Sequence, residues 1–222
     1  MKLVQFVTQN HSAIKRSYID RVLNPNWPKH KAAEIAKEYG FEYWDGDRAI
    51  NYGGYYYRPG YWRDTAKKLI EYYKLSNNSK ILDIGCGKGF LLKEISLQLP
   101  KIEFCGLDIS KYAIDNSHLD VRPFLRVGNA KSLPFESKAF DLVISINTLH
   151  NLYNFELYES LKEINRVAKS AYVCVESYRN ELEKMNLLYW QVTCEAFNTP
   201  EEWKWWFKMT GYDGEYEFIY FE

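Results

Sequence analysis

Between residues 79 and 176, short apolar runs alternate with stretches of helical spacing. Ile81-Leu82-Asp83-Ile84, Ile102-Glu103-Phe104-Cys105-Gly106-Leu107, residues 124–127, Phe140-Asp141-Leu142-Val143-Ile144-Ser145-Ile146 and the run at Ala171 are short and nearly continuous, as strands of a covered sheet are. Residues 88–99, 111–118 and 155–168 carry the apolar positions of helices. This alternation predicts a parallel sheet with helices on both faces, with ligands at the carboxyl ends of the strands. The end of the chain is less regular. Residues 180–198 are amphipathic and aromatic. Thr199-Pro200-Glu201-Glu202 has the cap, first-turn proline and third-position acid of a helix start, and Gly211 closes that helix. Tyr216-Glu217-Phe218-Ile219-Tyr220-Phe221 alternates as a last strand. A seventh strand is either missing or supplied by residues 188–193.

The pattern before residue 64 differs. Residues 12–23 have helical spacing (Ile14, Tyr18, Ile19, Val22) with Ser12 as a cap, and Asn24-Pro25-Asn26-Trp27-Pro28 ends that helix. A second helix is expected over 29–39, stopped by Gly40. Residues 41–63 are too aromatic for a solvated linker and too glycine-rich for a helix. They read as an ordered lid with Gly53-Gly54 as its mobile point, against the plainer alternative of an aromatic loop packed on the core. A helix over 60–73 then leads into the first strand. The expected organisation is a helical cap with an aromatic lid over residues 1–63 and a sheet domain over 64–222.

Composition narrows the partners. The 29 basic and 29 acidic residues cancel, so no global field draws the chain to nucleic acid or anionic lipid. Cys86, Cys105, Cys174 and Cys194 have no ligand spacing, so reduced thiols and no metal are expected. No apolar run approaches membrane-spanning length and no leader pattern opens the chain, which predicts a cytoplasmic protein. Aromatic residues are in excess, at 17%.

Gly85-Cys86-Gly87-Lys88-Gly89 ends the first apolar run, and glycines there let backbone turn sharply against a ligand. A dinucleotide fingerprint needs glycine where Phe90 stands, and a phosphate loop needs Ser or Thr where Gly89 stands. The remaining pattern, acid-x-G-x-G-x-G, resembles motif I of class I S-adenosylmethionine-dependent methyltransferases. The second run ends in Asp108, at the interval where an acid meets ribose hydroxyls, and the third opens on Gly128-Asn129-Ala130, where the family usually reads Gly-Asp-Ala. The resemblance spans residues 79–176. It implies an α/β, Rossmann-like doubly wound, mostly parallel sheet and S-adenosyl-L-methionine as cofactor, held by Asp83, Gly85, Gly87, Gly89, Asp108, Ile109, Asn129, Ala130 and Asn147. Asn129, being neutral, would accept from the adenine amino group more weakly than an acid. Arg63, with Arg58 as the alternative, would take the methionine carboxylate.

The resemblance places the acceptor beside the fourth and fifth strands. His150 is the candidate general base because its imidazole titrates near working pH, with a structural histidine as the equal alternative. Glu176 and Tyr178 are further catalytic candidates, and Tyr52, Tyr55, Tyr57, Arg58, Asn151 and Arg179 are candidates for substrate binding. Trp44-Asp45-Gly46-Asp47, Tyr52-Gly53-Gly54-Tyr55 and Thr148-Leu149-His150-Asn151-Leu152 look like a bacterial group of small methyltransferases associated with surface-sugar and secondary-metabolite pathways. That likeness implies methylation on O or N of a small polar acceptor such as a sugar or sugar nucleotide. RNA or protein methylation, and a cofactor-binding regulatory subunit without its own chemistry, are the rival readings. A homodimer is left open.

Overall fold

The computed structural model describes residues 1–7, 17–53 and 55–222, so the Ser12 cap and Gly54 lie outside the described residues. Its centre is a seven-stranded sheet of β1 (Lys2–Leu3), β2 (Lys80–Ile84), β3 (Glu103–Asp108), β4 (Leu125–Val127), β5 (Phe140–Ile146), β6 (Ala168–Glu176) and β7 (Glu215–Ile219). The spatial order is β1-β7-β6-β5-β2-β3-β4, and every pairing is parallel. Strand order runs outward from β2 in both directions, so the β2/β5 junction is the switch point at which such sheets open a crevice.

The nine helices of the described residues are α1 (Ile19–Val22), α2 (Lys29–Ala36), α3 (Phe41–Trp44), α4 (Arg63–Tyr73), α5 (Phe90–Gln98), α6 (Lys111–Asp115), α7 (Asn154–Val167), α8 (Glu181–Trp190) and α9 (Pro200–Thr210). Period-two alternation sorts the sheet residues between two cores. Leu82, Ile84 and Val143 pack with α7 and α9, whereas Ile81, Leu142 and Ile144 pack with α4 and α5 on the other face. The predicted start of α9 forms a full capping box: Thr199 accepts from the Glu202 N–H while the Glu202 carboxylate accepts from the Thr199 N–H.

The seventh strand comes from neither expected source. Residues 188–190 end helix α8, and the sheet is completed at its edge by the amino terminus, with Lys2 opposite Glu215 and Leu3 opposite Tyr216. Residues 1–7 therefore belong to the sheet and not to the cap. Val4, Phe6 and Val7 are buried in the core beside α4, and Glu217 of β7, itself 1% exposed, anchors them. Its carboxylate accepts from the Phe6 N–H at 2.6 Å, the Val7 N–H at 3.1 Å and the Tyr172 hydroxyl at 2.6 Å. A third, separate core accounts for much of the aromatic excess: Ala32, Ala36, Tyr43, Ile50 and Val192 are buried among Trp27, Tyr39, Trp44, Tyr52 and Tyr55.

Truncating Glu217 leaves buried amides and a phenol without their acceptor. Glu217→Ala should cost about 3 kcal/mol of stability in denaturant unfolding, against about 1 kcal/mol for Tyr172→Phe. Hydrogen exchange should show amide protection lost first at Phe6 and Val7.

Candidate cofactor and acceptor site

The glycine loop is laced to the next strand. The N–H groups of Gly85 and Cys86 both donate to the Leu107 carbonyl, at 2.7 and 3.2 Å. The Gly87 N–H donates to Asp108 Oδ2 and the Ser110 N–H to Asp108 Oδ1, each at 2.8 Å. Gly85 and Gly87 hold φ of +75° and +53°, where side chains are rare. A Cβ on Gly85 would lie 1.9 Å from Thr148 Oγ1, and one on Gly87 would lie 2.8 Å from the Trp44 indole. Burial pushes the Asp108 carboxyl upward in pKa, and the two amide hydrogen bonds oppose that shift.

Asp83 differs from expectation. The loop amides that were to satisfy it are spent on Leu107 and Asp108, so among the described residues no donor reaches its buried carboxylate. Burial, with the neighbouring Asp108 charge added, pushes its pKa up to about 7. Such a group suits a cationic partner.

Residues before the sheet domain close over this loop. The Trp44 indole N–H donates to Ser110 Oγ at 2.8 Å, and the Ser110 hydroxyl donates to the Tyr39 carbonyl at 2.6 Å. Lys88, only 7% exposed, pairs with Asp45 at 2.7 Å, and Tyr112 donates to the same carboxylate at 2.8 Å. None of Trp44, Asp45, Lys88 or Ser110 is a site residue on the sequence reading. The available signals were a lysine set between loop glycines and the Trp-Asp-Gly-Asp run.

A cavity of about 1280 Å³ runs along the carboxyl ends of the strands. It brings together Asp83, Gly85, Gly87, Asp108, Ile109, Asn129, Ala130 and Asn147 with Tyr52, Tyr55, Arg58, His150, Asn151 and Glu176. Asn129 Oδ1 accepts from the Lys131 N–H at 3.0 Å, and Asn147, at φ +55°, turns the chain out of β5. Five predicted residues lie outside the wall. Gly89 caps α5 behind the loop. Arg63 and Tyr57 face buried Glu94, which accepts from the Tyr57 hydroxyl at 2.8 Å and lies 3.9 Å from the Arg63 guanidinium. Arg179 is held by Glu183 and Glu222 and stacks 4.1 Å from the centre of the Tyr220 ring. Tyr178 packs in the core with its ring under Lys184. Acidic partners draw the arginines away: Glu94 lies far along the chain from Arg63, whereas Glu183 follows Arg179 by one helical turn.

His150, read from the sequence as either a base or a structural histidine, is 2% exposed. Its Nδ1 accepts from the Glu176 N–H at 3.3 Å, which puts the ring proton on Nε2, 3.6 Å from Glu176 Oε2. Burial lowers its pKa to about 3, so the ring stays neutral at physiological pH. Gln191 donates its side-chain N–H to the same Glu176 oxygen, and Tyr52 donates its hydroxyl to Gln191 Oε1 at 2.6 Å while accepting from the Val192 and Thr193 amides. Tyr52 is thus a strut of the wall, and Gln191 belongs to the network with no sequence signal to mark it.

Residues 82–175 match a family described as a methyltransferase domain, over strands and loops that line the cavity. The chain carries a class I S-adenosylmethionine-dependent methyltransferase domain. Within this family S-adenosylmethionine is the methyl donor. The chain is 32% identical over 102 residues to a malonyl-[acyl-carrier protein] O-methyltransferase of Legionella pneumophila, covering 44% of this chain and 35% of that one. It is 35% identical over 130 residues to a demethylmenaquinone methyltransferase of Lactiplantibacillus plantarum, covering 53% and 52%. The chain thus spans about a third to a half of the length of these relatives. The YcgJ protein of Bacillus subtilis shares the fold, with a TM-score of 0.52 at 19% identity over 65% of this chain and 66% of that one. Among the described residues no helix is long and apolar enough to cross a membrane.

In the free methyltransferase domain Asp83 keeps its proton up to about pH 7, whereas an unfolded aspartate loses it near about 4. Stability from this group is therefore full below about pH 4 and declines as pH rises through about 7. A bound ammonium reverses the preference. Affinity for S-adenosylmethionine should rise between pH 5.5 and 7, by at most about tenfold per unit, with proton release on binding. Calorimetry in two buffers of different ionisation enthalpy reads the release, and Asp83→Asn should abolish it. Binding without proton release in the wild type would show that Asp83 does not meet the ammonium.

Proposed function

We propose that the domain transfers the methyl group of S-adenosylmethionine to N or O of a small polar acceptor held above β5 and β6. The observation that carries this reading is one open cavity lined both by the loops after β2, β3 and β4 and by residues after β5, at the end of β6 and from the cap. Adenosine fits over β3 and β4, where Asp108 and Ile109 meet Asn129 and Ala130. The amino-acid end fits over Asp83 of β2, with Arg58 or Arg48 of the cap available to its carboxylate. Neighbouring strands lie about 4.8 Å apart, so Glu176 of β6 stands about 10 Å from the Asp83 strand. That interval accommodates a methyl group and the atom that takes it. An open acceptor end favours an enzyme over a cofactor-binding regulatory subunit, and zero formal charge gives no support to an RNA substrate. Relatives named for such different acceptors do not choose among substrates, whereas the aromatic wall suits sugars and other small polar molecules with a flat face.

The donor supplies an activated methyl at a sulfonium, open to in-line displacement. The chain's own task is placement and exclusion of water. Asp108, fixed by two amides, keeps lone pairs for ribose hydroxyls, and Asn129 Oδ1 has a second lone pair for an amino group.

Asp108→Ala should weaken S-adenosylmethionine binding by about 1.5 to 3 kcal/mol in titration calorimetry. Gly87→Val should abolish binding, because its Cβ meets Trp44 and its φ is +53°. Undiminished binding by both variants would sink the assignment.

A further inference from the structure

We propose that the methyl acceptor carries an anionic group, a carboxylate or a phosphate, which the Arg48 guanidinium receives; this deepens the methyltransferase reading above and rests on it. The first argument is a charge count. Among the described residues, the lysines and arginines that line the cavity are Lys37, Arg48, Arg58 and Lys88. Lys37 pairs with Glu195 and Lys88 with Asp45. Neither Arg48 nor Arg58 forms an ion pair among the described residues, and residues 8–16 and 54 contain no Asp or Glu. Two guanidiniums of the wall are thus without an acid of the chain. The donor brings one carboxylate, so one guanidinium is left for the acceptor. The acids of the wall are engaged elsewhere: Glu156 pairs with Lys131, Glu176 accepts from Gln191, and Asp83 and Asp108 lie at the glycine loop. Asp20 of α1 also lines the cavity and pairs with no cation among the described residues.

The second argument concerns which guanidinium serves which partner. Glu94 of α5 accepts from the Tyr57 hydroxyl at 2.8 Å and from the Gly60 N–H at 2.7 Å, so Arg58 belongs to a segment fastened to the helix that follows the glycine loop. That assigns Arg58 to the donor. Arg48 belongs to the other side: its carbonyl accepts from Arg21 at 3.2 Å, and Arg21 lies against the rings of Tyr52 and Trp190. The Tyr52 hydroxyl in turn donates to Gln191, beside Glu176 at the end of β6. The Arg48 side chain is also held in place. Asn51, 3% exposed, donates to the Gly46 carbonyl at 2.6 Å, which leaves its Oδ1 to Arg48 Nη1 at 3.5 Å. A Cβ on Gly53 would lie 1.9 Å from that nitrogen, and Gly53 holds φ of +72°, so the turn leaves open the space that the guanidinium fills. One contact at the limit of a hydrogen bond leaves most of the N–H groups of Arg48 for a ligand, in a fork that matches a carboxylate or a phosphate. Burial is the main cause that lowers the Arg21 pKa, and the Arg48 charge adds to it. An anion at Arg48 eases the repulsion between these two cations.

The test uses the full chain, labelled S-adenosylmethionine and a bacterial small-molecule extract divided on an anion-exchange resin. Methyl acceptance should be retained on the resin and elute with salt. Phosphatase treatment then sorts the anion, since acceptance lost on treatment marks a phosphate and acceptance kept marks a carboxylate. With the retained fraction, Arg48→Gln should raise the half-saturating amount at least about tenfold, while kcat and S-adenosylmethionine affinity stay within about threefold. Arg48→Lys, which keeps the charge, should recover part of that loss. Added sodium chloride should raise the half-saturating amount for the wild type and leave that of Arg48→Gln level, a response that a purely structural role would not give. Acceptance confined to the unretained fraction, or saturation unmoved by Arg48→Gln, would overturn the anion assignment and leave the methyltransferase reading intact. So would Asp20→Asn reproducing the Arg48→Gln defect, which would tie Arg48 to that acid, or Arg48→Gln weakening S-adenosylmethionine binding instead. No acceptance by any fraction would overturn both, and cofactor binding measured by calorimetry would show whether the donor site survives.

Discussion

The staple between Asp108 and the amides of Gly87 and Ser110 is the contact on which the rest of the site depends. It fixes the glycine loop at the φ values only glycine adopts readily, and it presents Ser110 to Trp44, which closes the cap over that same loop. The Lys88 and Asp45 pair makes the closure reciprocal, since the lysine comes from the loop and the acid from the cap. A buried lysine costs a great deal of hydration unless an acid meets it, so the cap and loop hold each other in register.

Buried carboxylates separate structure from function across the molecule. Glu217 and Glu94 are each met by several protein donors, which ties the amino terminus to the sheet in one case and the segment before α4 to α5 in the other. Asp108 is met by two amides and still faces the cavity. Asp83 receives none from the described residues, and its pKa rises accordingly. A protein tolerates a buried acid of that kind where a ligand completes it, and the switch point of the sheet is where a ligand belongs.

The sheet domain was legible because its chemistry is local. Strand, glycine turn and helix follow one another from Ile81 to Phe90, and the acid of the second strand lies within the same unit. What could not be read depends on partners far along the chain. A two-residue strand at Lys2 and Leu3 has no alternation to betray it and exists because Glu217, more than two hundred residues away, holds the peptide that follows. Arg63 and Arg179 were plausible ligand cations by position, but each lies beside an acid that the sequence separates from it or that a helix turn brings near. His150 shows the same limit in another form. Its place after the fourth strand was right, while its tautomer and its neutrality follow from burial and from one backbone N–H.

The aromatic cap gains its meaning from Arg21, a guanidinium 7% exposed that among the described residues has no acid partner. It donates to the carbonyls of Arg48, Ala49 and Asn51 and stacks between the Tyr52 and Trp190 rings, 5.1 and 4.5 Å from their centres. Burial lowers its pKa, yet a guanidinium, the strongest base among side chains, keeps its charge. Carbonyl dipoles and ring faces thus stand where a counter-ion would. Arg21 joins the backbone of residues 48–51 to the ring of Tyr52, whose hydroxyl donates to Gln191 in the cavity wall, so the order of the cap and of that wall rest on the same packing.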